Sequence, residues 1–377
     1  MSVTGSAPQA GREADDRRFM AAAIRFSRRH QGLTGTNPSV ACLIVRDDGA
    51  GPRVVGRAVT AIGGRPHAEA QALEEAGDAA RGATAYVTLE PCAHHGRTPP
   101  CADALIASGV TRVVGAASDP DPRVSGKGYA MLRAAGIEVV ENVLAEDAAD
   151  LLRGYLTRST KKRPEVILKL ALSADGKIGA KGQGQVRITE EIARRQVHLM
   201  RSEADAILIG INTALADNPS LTCRLPGLER RSPLRMVLDR HMRLPLDCEL
   251  VRSARQVPLL VTAASDASAE SRAALAEAGV QFLAVEAIND HIAIPELLDD
   301  LAARGVSTLM VEGGAYTASE FLKEDLVDRL CLFVGRSEIG ETGIASPVDP
   351  DHIPAGFGKL REARYGDDLY LEFVKAG

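Results

Sequence analysis

Short apolar runs alternate with helix-like segments along most of this chain, and the alternation restricts its fold more than any other feature. In the first half, the pattern predicts strands at 40–45, 54–59, 85–89, 110–116 and 137–140, and helices at 15–30, 67–76, 100–108 and 129–135. Strands that alternate with helices form a sheet with helices packed on its faces. The first half is therefore predicted to be an α/β layer sandwich.

A second alternating series begins at Glu165 and predicts a second α/β domain. Its strands are expected at 166–172, 206–211, 234–238, 258–262, 280–285, 308–311 and 330–334, and its helices at 188–201, 268–277, 294–303 and 316–323. The intervening segment 146–164 ends in a basic run and a proline, which indicates a linker helix. We therefore expect a disordered lead-in at 1–14, a first domain at 15–145, this linker, and a second domain at 165–377.

Charge, hydropathy and cysteine usage restrict the partners of this chain. Its net charge is −5, whereas general nucleic-acid binders are usually basic. No run approaches the ~18 consecutive apolar residues of a membrane-spanning helix. The six cysteines are too sparse for a disulfide scaffold and suit a reducing compartment. We expect a cytoplasmic protein with no nucleic-acid or membrane partner.

The first predicted domain contains the residue types of a catalytic zinc site. His67 and Glu69 open a predicted helix, and Cys92 and Cys101 flank the start of another. One imidazole and two thiolates leave the fourth tetrahedral position of zinc to a water, whose pKa the metal lowers toward neutrality. A carboxylate two residues from the histidine can carry a proton from that water to leaving ammonia, as in zinc deaminases.

The spacing of the two cysteines departs from the usual deaminase pattern. Zinc deaminases carry H-x-E and P-C-x-x-C, but here eight residues separate Cys92 from Cys101. From the residues alone, a structural zinc site and a pair of unrelated buried cysteines remain alternatives. A structural site would use four protein ligands and leave no position for a substrate.

The long spacer itself resembles that of a known family. The string P-C-A-H-H-G-R-T-P-P-C at 91–101 is similar to the deaminase half of the bifunctional riboflavin-biosynthesis deaminase–reductases. The segments Thr36–Val40, Pro66–Glu69 and Asp119–Pro122 also match that family. The resemblance spans residues 15–145 and implies a cytidine deaminase-like three-layer sandwich. It also implies a phosphoribosylated diaminopyrimidinone as substrate, which loses a ring amino group as ammonia.

The resemblance implies roles for individual residues of this domain. The zinc ligands that it implies are His67, Cys92 and Cys101. Glu69 corresponds to the catalytic proton carrier, and Asn37 matches a substrate-binding position. Within the spacer, His95 and Arg97 suit a ribose phosphate, since arginine binds phosphate in a bidentate way. A purely structural loop is the alternative for the spacer.

The second domain carries a glycine turn between a predicted strand and a predicted helix. Gly313 and Gly314 end the strand at 308–311, and the helix follows at 316–323. Such a turn lets backbone amides approach a phosphate at a helix N-terminus, although an ordinary turn also explains the glycines. A full G-x-G-x-x-G fingerprint is absent, so a dinucleotide-binding Rossmann unit is not supported.

Longer motifs of this domain are similar to the reductase half of the same family. They are Leu168–Lys177, Arg201–Gly210, Thr213–Arg224, Val237–Asp239 and Val311–Gly314. The resemblance implies that a dihydrofolate reductase-like α/β domain follows the deaminase domain. It also implies that NADPH delivers hydride to the ribose of the deaminated product and opens it to a ribityl chain.

The resemblance also implies ligand contacts in the reductase domain. Its cofactor-binding residues are Leu172, Thr213, Asp217 and Gly314. Its substrate-binding residues are Lys169, Arg201, Leu221, Arg224 and Glu312. The two arginines suit a substrate phosphate, and each charged residue could instead be a surface ion-pair partner. The family's usual Ser-x-Trp segment reads Gln185-Val186-Arg187 here, so no contact is assigned to it.

The leading hypothesis is a two-step enzyme of riboflavin biosynthesis that uses Zn²⁺ and NADPH and acts on small phosphoribosyl pyrimidines. The family further implies a homodimer or a larger homo-oligomer. Two alternatives stay open: a nucleic-acid or nucleoside deaminase whose second domain is not a reductase, and a zinc-stapled binding protein. Replacing Glu69 by glutamine separates them, because a structural zinc site would not need this carboxylate.

Overall fold

The computed structural model describes residues 7–95, 99–264, 266–288 and 291–376, with backbone alone at 7–10, 287–288 and 291. The chain divides into two compact units, Met1–Lys162 and Arg163–Gly377. The boundary between them falls close to the predicted start of the second domain at 165. None of the described helices combines the length and the hydrophobicity that crossing a bilayer requires.

The first unit contains a five-stranded sheet and six helices among its described residues. In chain order they are α1 (Ala7–Ser27), β1 (Ala41–Arg46), β2 (Arg53–Val59), α2 (Ala68–Ala76), β3 (Thr84–Leu89), α3 (Cys101–Ser108), β4 (Arg112–Ala117), α4 (Lys127–Ala134), β5 (Glu138–Val140), α5 (Ala145–Leu151) and α6 (Arg153–Lys161). The strands lie in the order β2-β1-β3-β4-β5. β1 is antiparallel to β2 and β3, whereas β3, β4 and β5 are parallel.

Two groups of helices cover the two faces of this sheet. α1 and α5 contact each other and the central strands, whereas α2 contacts β1, β2 and α3, and α3 contacts α4. The central strands are buried along most of their length, as Ile44 and Val113 illustrate with no exposed surface. Strands covered on both faces read as continuous apolar runs. The unit therefore has the three layers that the resemblance implies.

Two predicted boundaries of the first unit are wrong. α1 begins at Ala7, so residues 7–14 are helical, although the sequence predicts disorder up to residue 14. The segment 146–164 is not a linker, because Ala148 of α5 and Leu152, between α5 and α6, are buried in the core of the first unit. Alanine and charged residues favour a helix without giving a clear apolar period. A few buried side chains are then enough to attach a helix whose composition is that of a linker.

A buried ion pair attaches α1 to the sheet. The Asp16 carboxylate accepts two hydrogen bonds from Arg112 of β4, each 2.7 Å long, and one of 2.9 Å from the hydroxyl of Tyr86 in β3. Arg112 also donates to Glu138 at 2.9 Å. Only 7% of the Asp16 side chain is exposed. Buried charges of this kind depend on a complete set of partners.

Replacing Asp16 by asparagine should destabilise the first unit by about 3 kcal/mol, because Arg112 then stays buried without its main counter-ion. The neighbouring Asp15 is the matched control, since its side chain is 43% exposed and pairs with Arg18 at the surface. D15N should cost less than about 0.5 kcal/mol. Urea unfolding of the full chain measures both, and equal stability of D16N and wild type would contradict this role.

The second unit is built around a nine-stranded sheet. In chain order its elements are β6 (Glu165–Leu172), β7 (Lys177–Ala180), α7 (Glu191–Glu203), β8 (Ala206–Gly210), α8 (Ile211–Asp217), β9 (Leu234–Leu238), α9 (Glu249–Arg252), β10 (Leu259–Ala263), α10 (Ala269–Glu277), β11 (Gln281–Ala284), β12 (Ala287–Ile288), β13 (His291–Ile292), α11 (Ile294–Ala303), β14 (Thr308–Val311), α12 (Ala315–Lys323), β15 (Arg329–Val334), β16 (Gly343–Ala345), β17 (Phe357–Tyr365) and β18 (Asp368–Lys375). The large sheet has the order β11-β10-β9-β8-β14-β6-β15-β18-β17. All pairs from β11 to β15 are parallel, and β18 and β17 complete the sheet in antiparallel fashion.

Alternate residues of these strands enter separate cores on the two faces of the sheet. In β8, Ala206 and Leu208 belong to one core, and Ile207 and Ile209 to another. α11 and α12 pack on the first face, whereas α7, α8, α9 and α10 bury residues on the opposite face. Successive strand residues point to opposite sides of a sheet. This arrangement places polar residues of β6 on the α7 face, where the site described below lies.

The sequence pattern misses several elements of the second unit. No element is predicted beyond residue 334, yet the β17–β18 hairpin forms one edge of the large sheet. Most residues of β17 are exposed on both faces, so they lack the alternation that signals a strand. β7, α8 and α9 have only four, seven and four residues, too few to show a period. The remaining predicted strands and helices of the unit are present, with ends shifted by a few residues.

Candidate active sites

Three metal-binding side chains meet at the start of two helices in the first unit. His67 immediately precedes α2, Cys101 is the first residue of α3, and Cys92 follows the end of β3. Nδ1 of His67 lies 3.8 Å from Sγ of Cys92 and 3.3 Å from Sγ of Cys101. The backbone N–H of Cys101 donates to the Cys92 sulfur at 3.3 Å. The fold thus brings together the three predicted ligands from distant parts of the sequence.

The geometry of this cluster fits a zinc ion. Tetrahedral zinc with Zn–S bonds of about 2.3 Å and Zn–N bonds of about 2.0 Å places nitrogen and sulfur ligands about 3.5 Å apart, which lies between the two observed distances. The Cys101 thiol, followed by His67, lowers the pKa of Cys92 to about 4, and the thiolate is the form that binds metals. Among the described residues, no fourth ligand joins the cluster. One tetrahedral position therefore stays open, as a catalytic zinc site requires.

Glu69 lies beside the cluster but is not one of its three members. It belongs to the first turn of α2, and only 4% of its surface is exposed. A negative charge in the first turn of a helix is favourable. Burial raises the pKa of Glu69, and the Cys92 thiolate raises it further. This environment suits a carboxylate that gains and loses a proton next to the metal.

The predicted substrate residues of the first unit lie in two loops. Gly64, three residues before His67, has a φ of +90°, and a Cβ there would lie 2.4 Å from Nδ2 of Asn37. Only glycine permits this approach, which places Asn37 against the loop that leads to the first ligand. His95 is exposed. Arg97 lies outside the described residues, so its predicted phosphate contact stays a prediction.

A buried cluster of three charged side chains, Lys169, Arg201 and Glu312, forms the centre of the candidate site in the second unit. Leu168 of β6 pairs with Val311 of the parallel strand β14. The residues that follow them, Lys169 and Glu312, therefore lie side by side. Nζ of Lys169 is 3.6 Å from Glu312, and Arg201 donates to both oxygens of Glu312 at 2.7 and 2.9 Å. Burial alone raises the pKa of Glu312, but Arg201 and Lys169 outweigh it and hold that pKa at about 2. Burial lowers the pKa of Lys169, and Glu312 offsets this only in part.

The remaining predicted substrate residues follow α8. Arg201 also donates to the carbonyl of Thr222 at 3.1 Å, which connects the charged cluster to Leu221 and Arg224. Leu221 is buried and has a φ of +53°, a strained conformation for a branched side chain. Arg224 is exposed. Arg201 is held by Glu312, and the phosphate contacts expected of Arg201 and Arg224 stay predictions.

A cleft of about 780 Å³ opens beside the charged cluster. Its lining includes Lys169 and Glu312 together with three of the predicted cofactor residues, Thr213, Asp217 and Gly314. Cavities of this size bind small molecules and cofactors. The N–H of Gly314, at the start of α12, donates to Oγ1 of Thr213 at 3.0 Å. The cleft therefore brings together three predicted cofactor residues and two predicted substrate residues, whereas Arg201, Leu221 and Arg224 do not line it.

Leu172 and the segment Gln185-Val186-Arg187 lie differently with respect to the cleft. Leu172, the fourth predicted cofactor residue, has no exposed surface and packs in the core instead of lining the cleft. Alternation along β6 turns its side chain away from the face that carries Lys169. In the segment that replaces Ser-x-Trp, Gln185 lines the cleft, whereas Arg187 is exposed outside it.

The sequence alone does not single out Arg235, which the structure connects to this site. Arg235 lies in β9 with no exposed surface. Its guanidinium donates to the carbonyl of Ser220 at 3.2 Å and to the hydroxyl of Ser253 at 2.7 Å. It therefore holds the segment that carries Leu221. The sequence feature that could have pointed to Arg235 is a charged residue inside an otherwise apolar strand. Such a residue predicts a buried polar contact but does not identify the partners.

Comparisons with known proteins identify both units. The family described as the cytidine and deoxycytidylate deaminase zinc-binding region matches residues 13–117, and the RibD C-terminal domain matches residues 164–367. The riboflavin biosynthesis protein RibD of Aquifex aeolicus is 39% identical over 96% of this chain and 98% of its own length. The chain belongs to the RibD family.

Other RibD proteins are similar to this chain over nearly its whole length. RibD of Escherichia coli is 37% identical over 96% of this chain and 100% of its own. The structure of Acinetobacter baumannii RibD, form 1, has 35% identity and a TM-score of 0.83, and covers 97% of this chain and 100% of that one. A diaminohydroxyphosphoribosylaminopyrimidine deaminase/5-amino-6-(5-phosphoribosylamino)uracil reductase from Thermotoga maritima has 32% identity, the same TM-score of 0.83 and the same coverage. The predicted family, fold class and pairing of deaminase with reductase are confirmed.

Replacing Glu312 by glutamine should destabilise the RibD C-terminal domain by about 3 kcal/mol at pH 7, because Arg201 and Lys169 then stay buried without a counter-ion. The pKa of Glu312 is about 2 in the fold against the usual 4.5. Its stabilising effect is therefore complete above about pH 4.5 and is lost as the pH falls toward 2. Denaturant unfolding at pH 7 and pH 3 checks both statements, with E341Q at the exposed Glu341 as control. A pH-independent difference between E312Q and wild type would refute them.

Proposed function

We propose that this chain catalyses two consecutive steps of riboflavin biosynthesis. The first removes a ring amino group from a phosphoribosylated diaminopyrimidinone, and the second reduces the ribose of the product to a ribityl chain with NADPH. The observation that carries the proposal is the open three-ligand cluster with Glu69 beside it. The cleft next to the charged cluster of the second unit provides the site of the second step.

In the deaminase step, the residues of the chain hold the metal and move protons. His67, Cys92 and Cys101 would hold a zinc ion, which would lower the pKa of a bound water toward neutrality. Glu69 takes up a proton as water adds to the ring carbon that bears the amino group. It then delivers this proton to the departing amino group, which leaves as ammonia. Asn37 borders the loop of His67 and is placed to orient the pyrimidine ring.

In the reductase step, the cleft positions a cofactor and the sugar. NADPH supplies the hydride. Gly313 and Gly314, at the start of α12, line the cleft, and backbone N–H groups in the first turn of a helix can bind a phosphate. Thr213 and Asp217 line the same cleft. Lys169 and Glu312 border it from the sheet, where they are placed to bind the ribose hydroxyls.

The mode of assembly and the location of the chain rest on the resemblance. We propose a homodimer or a larger homo-oligomer, as the family implies. The cytoplasmic location stays a prediction, and so does the absence of nucleic-acid and membrane partners. The two alternatives raised by the sequence have no support in the comparisons, since both halves match the RibD family over nearly the whole chain.

A coupled assay on the full, zinc-loaded chain tests the proposed function. With the phosphoribosylated diaminopyrimidinone and NADPH, wild type should release ammonia and then oxidise NADPH, each followed by its own signal. E69Q should keep its zinc and lose at least about 1000-fold in ammonia release, because the proton carrier is gone. E69Q should still oxidise NADPH when the deaminated product is supplied.

The matched control is E74Q, which changes an exposed glutamate of the same helix. E74Q should deaminate like wild type. Two results would contradict the proposed function: a wild-type chain that releases no ammonia, or an E69Q variant that deaminates at the wild-type rate. Ammonia release without any NADPH oxidation would contradict only the reductase half.

A further inference from the structure

Helix α6 lies between the segments that the two family descriptions match. The first segment ends at residue 117 and the second begins at residue 164. Its side chains nevertheless reach two loops of the first unit that border the metal cluster. We propose that Tyr155 and Arg158 of α6 are positioning residues of the deaminase substrate site, where they hold Asp119 and the turn that carries Asn37. This inference rests on the proposed deaminase function of the first unit.

Tyr155 holds the Asp119 carboxylate. Its hydroxyl lies 3.1 Å from each of the two carboxylate oxygens, and the N–H of Asp121 donates to one of them at 2.9 Å. Asp119 is 6% exposed. A buried carboxylate that loses a donor rotates or takes up a proton, because its desolvation is then no longer offset. Tyr155 therefore fixes both the orientation and the charge of Asp119.

The loop that carries Asp119 is attached directly to the metal-binding loop. Glu90, two residues before Cys92, accepts hydrogen bonds from the N–H groups of Gly126 at 3.0 Å and Gly128 at 3.1 Å. A Cβ at Gly128 would lie 2.0 Å from the carbonyl oxygen of Pro91, so only glycine allows the two loops to approach so closely. The position of Asp119 relative to the cluster is therefore defined by contacts on both sides.

The electrostatic environment agrees with this placement. Burial raises the pKa of Asp119, and the Cys92 thiolate is among the groups that raise it further. The neighbouring Asp121 has a pKa lowered to about 2, mainly by Arg123 and in small part by His94 of the spacer. Asp119 and Asp121 thus lie within electrostatic reach of the metal-binding loop. A carboxylate in that place can accept hydrogen bonds from ribose hydroxyls or ring amino groups.

Arg158 holds the opposite loop. Its guanidinium donates to the carbonyl of Thr36, the residue before Asn37. The same turn is closed by Thr34, whose hydroxyl donates to the carbonyl of Asn37 at 2.6 Å. Nε of Arg158 is buried and has no hydrogen-bond partner among the described residues. One helix therefore supports the two loops that flank the metal cluster, Thr34–Asn37 and Asp119–Asp121.

These contacts predict an effect on substrate binding and not on proton transfer. Neither Tyr155 nor Arg158 belongs to the ligand cluster. Residues that only orient binding groups act on the substrate and the transition state alike, so their loss raises KM and leaves kcat unchanged. A residue needed for the stability of the fold would instead lower the amount of active, zinc-loaded enzyme.

The test is steady-state deamination by the full, zinc-loaded Y155F variant, with ammonia as the readout. Removal of a hydrogen bond to a carboxylate should raise KM about tenfold. We expect kcat and the zinc content to stay within about twofold of wild type. The zinc content reports the folding of the first unit, and NADPH oxidation with the deaminated product as substrate should not change, because the reductase site lies in the second unit.

T160A is the matched control on the same helix, since the Thr160 hydroxyl is exposed and donates to the carbonyl of Leu156 at 2.8 Å. Its KM should equal that of wild type. An unchanged KM in Y155F would overturn the proposal. So would a loss of zinc or of reductase activity in parallel with deamination, because a structural role alone would cause that. Ammonia release by the wild-type chain tests the deaminase function itself. A failure of that function is therefore distinguishable from a failure of the role proposed for Tyr155.

R158Q provides the second, independent variant. Its effect should again fall on the KM of deamination, because the Thr36–Asn37 turn loses its support. R158K retains a donor at the end of a long side chain and should restore part of the affinity. If R158Q and R158K both show the wild-type KM, the proposed role of Arg158 is wrong.

Discussion

The first unit depends on the convergence of two helix N-termini on one pair of thiolates. α2 begins directly after His67, and α3 begins at Cys101, whose own N–H donates to the Cys92 sulfur. Thiolates are stabilised at helix N-termini, where backbone N–H groups and the positive end of the helix dipole meet them. The same convergence carries Glu69 into the first turn of α2. The starts of these two helices therefore determine where the metal ligands, the proton carrier and the open metal position lie.

The second unit reaches its charged cluster by a different constraint, the register of parallel strands. Pairing of Leu168 with Val311 places Lys169 next to Glu312, and α7 brings Arg201 over them. Three charges are then buried together, and each depends on the others for compensation. Each site combines residues that lie far apart in the sequence, although His67 and Glu69 are only two residues apart. What the two sites share is a set of polar side chains that separate strands and helices bring together.

Most of the strands and helices could be predicted from the sequence, because central strands and amphipathic helices carry a clear period. His67, Glu69, Cys92 and Cys101 were also accessible, since metal chemistry restricts which side chains can serve. The edge strand β17 was not accessible, because both of its faces are exposed. The support that α6 gives to Asp119 and Thr36 was hidden for another reason: its partners lie 36 and 122 residues away, and no local pattern encodes such contacts.

We propose that His67, Cys92 and Cys101 form an open zinc site, and zinc K-edge X-ray absorption of the full chain tests this most directly. We expect one zinc ion per chain with two sulfur ligands at about 2.3 Å and two nitrogen or oxygen ligands at about 2.0 Å, one of which is water. In C101S, a single sulfur should remain or the zinc should be lost. Three or four sulfur ligands in wild type, or a purified chain that does not bind zinc, would contradict the account.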